Sequence, residues 1–224
     1  MIAFINYIAC KFLYPFIVLS GSNIYLSWFR VAKQNTCELK NSQVTKSRIT
    51  VNGEGNKIEI INCHLSNSTF SVNGKDNKIF IARGVHIKGG NITIRGNNCI
   101  VTIGAKTTFG GIRIINVGSN NSILIGEECL FSDQIEIWAS DTHAIYNDDG
   151  VWVNKEKPIT VGNGVWVGSR VTILKGVVIA DGAIIGMGTT VTKNVAKNTL
   201  VAGNSAKIIK ENIRWSLEYP LNKE

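Results

Sequence analysis

The sequence predicts an all-β solenoid of stacked three-sided coils, on the strength of two internal periods and a composition suited to strands joined by tight turns. The chain has 224 residues, 44% of them hydrophobic, with 22 Gly against 3 Pro. Ile and Val are far commoner than Ala, and Asn is abundant. β-Branched residues favour strands, and Gly and Asn favour the turns between them. From Val161 the aliphatic residues Val161, Val167, Ile173, Ile179, Ile185 and Val191 follow one another at steps of six. A second series, Val165, Val171, Val177, Ala183, Thr189 and Val195, keeps the same step. Six residues match neither a helix nor a simple two-sided strand, but they match one short flat strand and one turn. Three such sides close a coil, so that Val161 and Ile179 stack in neighbouring coils around an aliphatic axis.

In chain order, the first twenty residues, MIAFINYIACKFLYPFIVLS, are apolar but carry Lys11 and Pro15 in their middle, so a clean membrane span is not expected. Residues 1–47 are expected to be a short apolar helical segment and lead-in. Its first twenty residues either pack on an oligomer or make peripheral contact with the inner membrane face. The second period follows, in GEGNKIEI from Gly53, GKDNKIFI from Gly74, GNNCIVTI from Gly96 and GSNNSILI from Gly118, with spacings of 21, 22 and 22 residues. Each unit places Asn, or Cys99 once, three positions after Gly and aliphatics at five and seven, which reads as a turn and then a strand with alternate residues facing inward. Stacked Asn side chains hydrogen-bond along such a column, so these Asn are expected to be structural. The solenoid is expected to span residues 48–210.

Residues 140–158, SDTHAIYNDDGVWVNKEKP, break both periods. Loops that leave a rigid solenoid are where binding and catalytic groups are displayed. After Lys197 the period loosens, and within the tail 211–224 the run Glu211 to Tyr219 reads as a short C-terminal helix capping the open β edge.

The net charge of +8 accommodates any anionic partner. The basic residues form no block and no nucleic-acid module is recognisable, so DNA and RNA are set aside. Five scattered cysteines without a C-x-x-C pair point to reduced, mostly buried thiols and a cytoplasmic setting. No metal is expected, because no closely spaced Cys/His ligand set is present. Of the three histidines, His64 and His86 fall at one point of successive long coils and read as stacked turn residues. His143 stands in the interrupting loop, two residues after Asp141 and about one coil before Trp166. A histidine near its ordinary pKa is the side chain best matched to taking a proton from an alcohol at neutral pH. Asp141 either holds the imidazole tautomer or begins the turn.

The run from Asp141 to Trp215, with SDTHAIYN, ITVGNGVWVGSRVTILKGVVIADGAIIGMGTTVTKNV and VAGNSAKIIKENIRW, resembles the bacterial sugar and polysaccharide O-acetyltransferases of the hexapeptide-repeat superfamily. The similarity is close over the C-terminal third and is one of repeat type over Gly53 to Ile137. It implies a left-handed parallel β-helix, acetyl-CoA as cosubstrate, a sugar or glycan acceptor, and a homotrimer with active sites between neighbouring prisms. It also implies His143 as catalytic base and Trp166, with Asp141 beside it, at the acceptor or acyl site. For acetyl-CoA it implies Ser169, Met187, Thr192, Lys207 and Lys210. Ser205 stands where the family commonly has Pro, and Met187 where it has a small residue, so the contour of the cosubstrate groove differs near the last coils. Acetylation of an amino sugar or xenobiotic, and a non-catalytic solenoid module, are the competing expectations.

Overall fold

The computed structural model describes residues 16–218, and three parallel sheets of eight, ten and eight strands wrap one core. Face one opens with strand Ile17–Ser20, face two with Asn23–Tyr25 and face three with Trp28–Val31, and the chain then returns to face one at Thr36–Lys40. The fold is a left-handed parallel β-helix. Parallel crossovers normally run right-handed because strands twist. Most strands on faces one and two are two to five residues long, too short for that twist to dictate the hand.

The register gives the coil lengths directly. On face one Ile17 pairs with Cys37, Cys37 with Ile58, Ile58 with Ile79, Ile79 with Val101 and Val101 with Ile123, steps of 20, 21, 21, 22 and 22 residues. Val161 pairs with Ile179, a step of 18. The extra residues of the long coils lie on face three, where Arg48–Glu54, Ser68–Lys75, Gly90–Asn97 and Ile112–Ser119 have seven or eight residues against three in Thr172–Leu174.

Both six-residue series point inward. Val161 and Ile179 on face one, Val167 and Ile185 on face two, and Ile173 and Val191 on face three are all buried, as are the corner residues Val165, Val171, Val177, Ala183, Thr189 and Val195. Each buried Val, Ile or Phe side chain contributes on the order of 1.5–3 kcal/mol. Phe109 and Phe131 stack in this column with ring centroids 4.7 Å apart.

Buried amides line one corner of the long coils. Asn35, Asn56 and Asn77 form a ladder in which each Oδ1 accepts from the next residue's backbone N–H at 3.0 Å, and from the side-chain amide above it at 2.8–2.9 Å. Cys99 replaces Asn in the fourth rung, where Asn77 accepts from its N–H at 2.9 Å. Asn121 closes the column by donating to the carbonyl of Ala139, where the long loop departs. From Asn56 on, the glycine three residues before each rung allows close stacking: at Gly74, with φ +122°, a Cβ would run into the carbonyl of Gly96.

Four of the five cysteines, Cys37, Cys63, Cys99 and Cys129, are buried and unpaired. Burial pushes the Cys37 thiol up to about 12 and the Cys63 thiol up to about 11, so both stay protonated and inert.

Two expectations about the ends need correction. Residues 17–47 are not a lead-in but already form solenoid coils, with strands from Ile17–Ser20 to Gln43–Thr45; β-branched and polar residues alternate there as in later coils, without the Gly–Asn signature that marks them. Of the apolar segment expected over the first twenty residues, 1–15 lie outside the described residues and Ile17–Ser20 is a strand; among the described residues no helix is long and apolar enough to cross a membrane. The run from Glu211 is not helical over the described residues to Glu218. Asn212 adopts φ +56°, and Trp215 is drawn away by its own contacts. Strand Lys207–Lys210 does the capping instead, pairing antiparallel with Leu200–Ala202 at the end of face two.

Candidate active site

The interrupting loop is a tethered hairpin. It leaves face three after strand Ile135–Trp138 and re-enters face one at Ile159–Val161. Tyr146 and Trp152 bridge antiparallel, and Val153 N–H donates to the carbonyl of Ile145. The turn Asn147–Asp148–Asp149–Gly150 closes with Gly150 at φ +74° and with Val151 N–H donating to Asn147 Oδ1. That short polar turn ending in a left-handed Gly is why the segment folds back on itself.

His143 sits at the base of this hairpin with its side chain exposed. The residue that fixes it is Asn154: its Oδ1 accepts from Ile145 N–H at 2.6 Å and from Trp152 Nε1 at 2.8 Å, while its Nδ2 donates to the carbonyl of His143 at 2.9 Å and to Asp141 Oδ2 at 2.8 Å. Lys175 Nζ donates to the same Asp141 oxygen and to the carbonyl of Asn154 at 2.7 Å. The Lys175 side chain is only 18% exposed, so this pair ties the loop to the coil beneath it. Burial works to raise the Asp141 pKa, but the hydrogen bonds from Lys175 and Asn154 and the Lys175 charge outweigh it and hold the carboxyl below its ordinary range.

Asp141 therefore spends its carboxylate on Lys175 and Asn154. The turn before His143 is closed by Ser140, whose Oγ accepts from Thr142 N–H at 3.0 Å. Asn154 and Lys175 escaped sequence reasoning. Lys175 had one available signal, its place eighteen residues after Lys157, one coil beneath the point where the loop returns.

Trp166 lies on face two, half-exposed, with its strand paired to Leu130–Phe131. Trp215 from the tail stands beside it at 6.0 Å between ring centroids, and its Nε1 donates to the carbonyl of Gly164 at 2.7 Å. Together with Lys106, Thr108 and Leu130, Trp215 borders a cavity of about 630 Å3. No period marks Trp215, which only the return of the tail brings to the second face. His143 and Trp166 belong to different parts of the prism: the loop leaves at the corner between faces three and one, whereas Trp166 stands on face two.

The other expected positions fall into three groups. Ser169 and Met187 stack at the corner between faces two and three, where Gly188 N–H donates to the Ser169 carbonyl at 2.9 Å and Arg170 lies 3.4 Å from Met187 Sδ. Thr192 is exposed just past strand Thr190–Val191, at the corner from which the loop departs two coils earlier. Lys207 and Lys210 are exposed on the antiparallel capping strand of face two. His64 and His86 are paired in register on face two, on strands rather than in turns, with ring centroids 4.5 Å apart in an edge-to-face arrangement.

Comparison with known proteins agrees with this architecture. Residues 158–193 match the bacterial transferase hexapeptide (six repeats) family. The chain is 35% identical over 132 residues to a polysialic acid O-acetyltransferase of Escherichia coli O1:K1 / APEC, covering 58% of this chain and 42% of that one. It is 35% identical over 111 residues to a polysialic acid O-acetyltransferase of Neisseria meningitidis, covering 43% of this chain and 51% of that one. The chain thus spans about half the length of these curated relatives. Among solved structures, the polysialic acid O-acetyltransferase OatWY superposes with a TM-score of 0.69 at 31% identity, covering 88% of this chain and 91% of that one. The polySia-specific acetyltransferase NeuO superposes at 0.67 and 26%, covering 93% of both. With repeat, register and near-complete superposition in agreement, the chain belongs to the hexapeptide-repeat acyltransferase superfamily and resembles its sugar O-acetyltransferases.

Proposed function

We propose that this protein transfers an acetyl group from acetyl-CoA to a hydroxyl of a sugar within a cell-surface polysaccharide, with His143 as general base. The observation that carries the reading is the Asp141–Lys175–Asn154 tether, which anchors the backbone at His143 and leaves its side chain exposed outside the prism. Proton transfer depends on a base carried by a well-positioned backbone, which this tether supplies. The similarity to polysialic acid O-acetyltransferases over nearly the whole described chain supports the acceptor class.

In this mechanism an imidazole nitrogen of His143 takes the hydroxyl proton as the oxygen attacks the thioester carbonyl. The C–O bond forms, the C–S bond breaks, and the imidazolium returns the proton to the departing CoA thiolate. No covalent enzyme intermediate is needed. Trp166 walls the acceptor or pantetheine site, Ser169, Met187 and Thr192 border the cosubstrate, and Lys207 and Lys210 approach its phosphates.

Because one chain carries His143 and Trp166 on different parts of its prism, the complete site in this reading is shared with a second copy, consistent with a trimer. The hairpin supports this: Ile145, Tyr146, Val151, Trp152 and Val153 are all exposed, and an isolated hairpin with an apolar face is marginal unless it packs on something. A cytoplasmic location, where acetyl-CoA is available and thiols stay reduced, fits the inert cysteines.

The test is transfer of radiolabelled acetyl from acetyl-CoA to polysialic acid, galactosides and amino sugars by the full chain and by His143→Ala. Wild type should label hydroxyl acceptors, and the variant should lose on the order of 10³-fold in kcat with an unchanged Tm, since the side chain is exposed. Undiminished turnover in the variant removes the general base, and label found only on amine nitrogen removes O-acetylation.

A further inference from the structure

Face two carries a second cavity, of about 210 Å3, farther toward the N-terminus than Trp166. Gln43, Thr45, His64, Ser66, His86 and Lys88 line it, with no carboxylate among the lining residues. They come from three successive coils in strict register, Gln43 beside His64 and His64 beside His86. Strand stacking accounts for the register, but a polar lining is not required by it, since the same column carries the apolar Leu130 two rungs beyond His86.

The lining is rich in hydrogen-bonding groups. The two imidazoles meet edge to face. Burial, then the proximity of His64 and Lys88, holds His86 below the usual histidine range, so near neutral pH its ring offers one N–H donor and one acceptor nitrogen. Gln43, Thr45 and Ser66 add both donors and acceptors, and Lys88 adds a fixed positive charge. That set matches the hydroxyls and carboxylate of an acidic sugar, and the volume suits one pyranose unit.

The hollow is also aligned with the transfer site. The outward column runs from His86 through Thr108 and Leu130 to Trp166, three strand steps or about 14 Å. Thr108 and Leu130 also border the larger cavity beside Trp215, so a chain lying along face two meets one hollow after the other.

We propose that the His64–His86 hollow is a distal subsite that holds one acidic sugar unit of a polymeric acceptor while another unit of the same chain is acetylated near Trp166. The proposal rests on the polysaccharide reading above.

The test uses the full chain with a His64→Ala/His86→Ala double variant and, as an exposed position that leaves the fold intact, Lys88→Ala. The acceptors are long polysialic acid chains and a sialic acid disaccharide. For the long chains KM should rise about tenfold in Lys88→Ala, which loses one charge-assisted contact, and by a similar factor in the double variant, which loses the contacts of two imidazoles. For the disaccharide KM, and for acetyl-CoA KM, no change is expected. Equal losses on both acceptors, or unchanged KM on both, overturn the subsite. Calorimetric binding of long polysialic acid without acetyl-CoA separates this outcome from failure of the functional reading. If wild type transfers no acetyl but binds the chains, and the double variant binds them about tenfold more weakly, the subsite stands and the enzymatic reading falls. If wild type acetylates long and short acceptors alike and the variants bind as wild type does, the reading stands and the subsite falls.

Discussion

The long coils before residue 123 and the short coils after residue 159 share one apolar column but solve their corners differently. In the short coils buried corner residues are small or aliphatic, as Val165, Val171 and Ala183 are. In the long coils one corner is buried amide, rung upon rung from Asn35 to Asn77 and again at Asn121. The short coils hold length to a fixed six-residue side, whereas the long coils widen face three and fill the added corner with hydrogen bonds. The hairpin that carries His143 leaves at the junction between the two, where the last amide rung bonds the carbonyl of Ala139. The lesson is that continuity of the core tolerates a change of girth, and that the change of girth is where a loop can be inserted without breaking the column.

Three measurements sharpen or break this comparison. Phe131 lies at the junction, stacked on Phe109 of the long section and adjacent in register to Val167 of the short one. Phe131→Ala should cost about 3–5 kcal/mol and, if the column is continuous, should lower a single unfolding transition in denaturant. Two separated transitions would show that the sections are independent. Asn56→Ala should cost about 2–3 kcal/mol, because it strands the Asn77 N–H and the Gly74 carbonyl in a buried corner. Protection of the neighbouring amides in hydrogen exchange should fall in the long coils and stay unchanged beyond Ile159. Loss spread evenly over both sections would contradict a corner specific to the long coils.

The smallest effect is expected at the tether. Asp141→Asn should lower stability by about 1 kcal/mol, the upper end for surface pairs, since Asp141 is exposed while Lys175 is largely covered, and should lower kcat about tenfold through a loosened His143. The sign of its pH dependence follows from the lowered Asp141 pKa. The tether's contribution is full above the ordinary carboxylate value of about 4 and is lost as pH falls through the lower folded value. Activity changes between pH 5 and 8 should therefore be the same in wild type and variant, and a difference confined to that window would show that Asp141 acts on the imidazole directly.

Much of the fold could be read from residue order because a solenoid repeats each contact locally. Val161 and Ile179 are close in sequence as well as in space, so their period reveals their neighbour. The strands before residue 48 escaped because the first corner, at Asn35, has Ala32 where the later corners have the glycine that made them recognisable. The C-terminal helix was misread for a related reason: Trp215 is fixed by the carbonyl of Gly164, fifty-one residues away, and no local pattern encodes that bond. In the site, the candidate base stood out as the histidine in the break of the repeat, but Asn154 and Lys175, which hold its loop, look like ordinary polar residues until the hairpin closes.

Periodicity alone thus determined the column, its three faces and the place where the chain leaves it, because inward-facing aliphatics must recur at the spacing of the sides that bury them. Only the tertiary structure decided how Asp141 is occupied, that Trp215 joins Trp166, and that His143 and Trp166 lie on different parts of one prism. Those relations depend on side chains meeting across unrepeated segments, and a repeat carries no information about where its interruptions fold back.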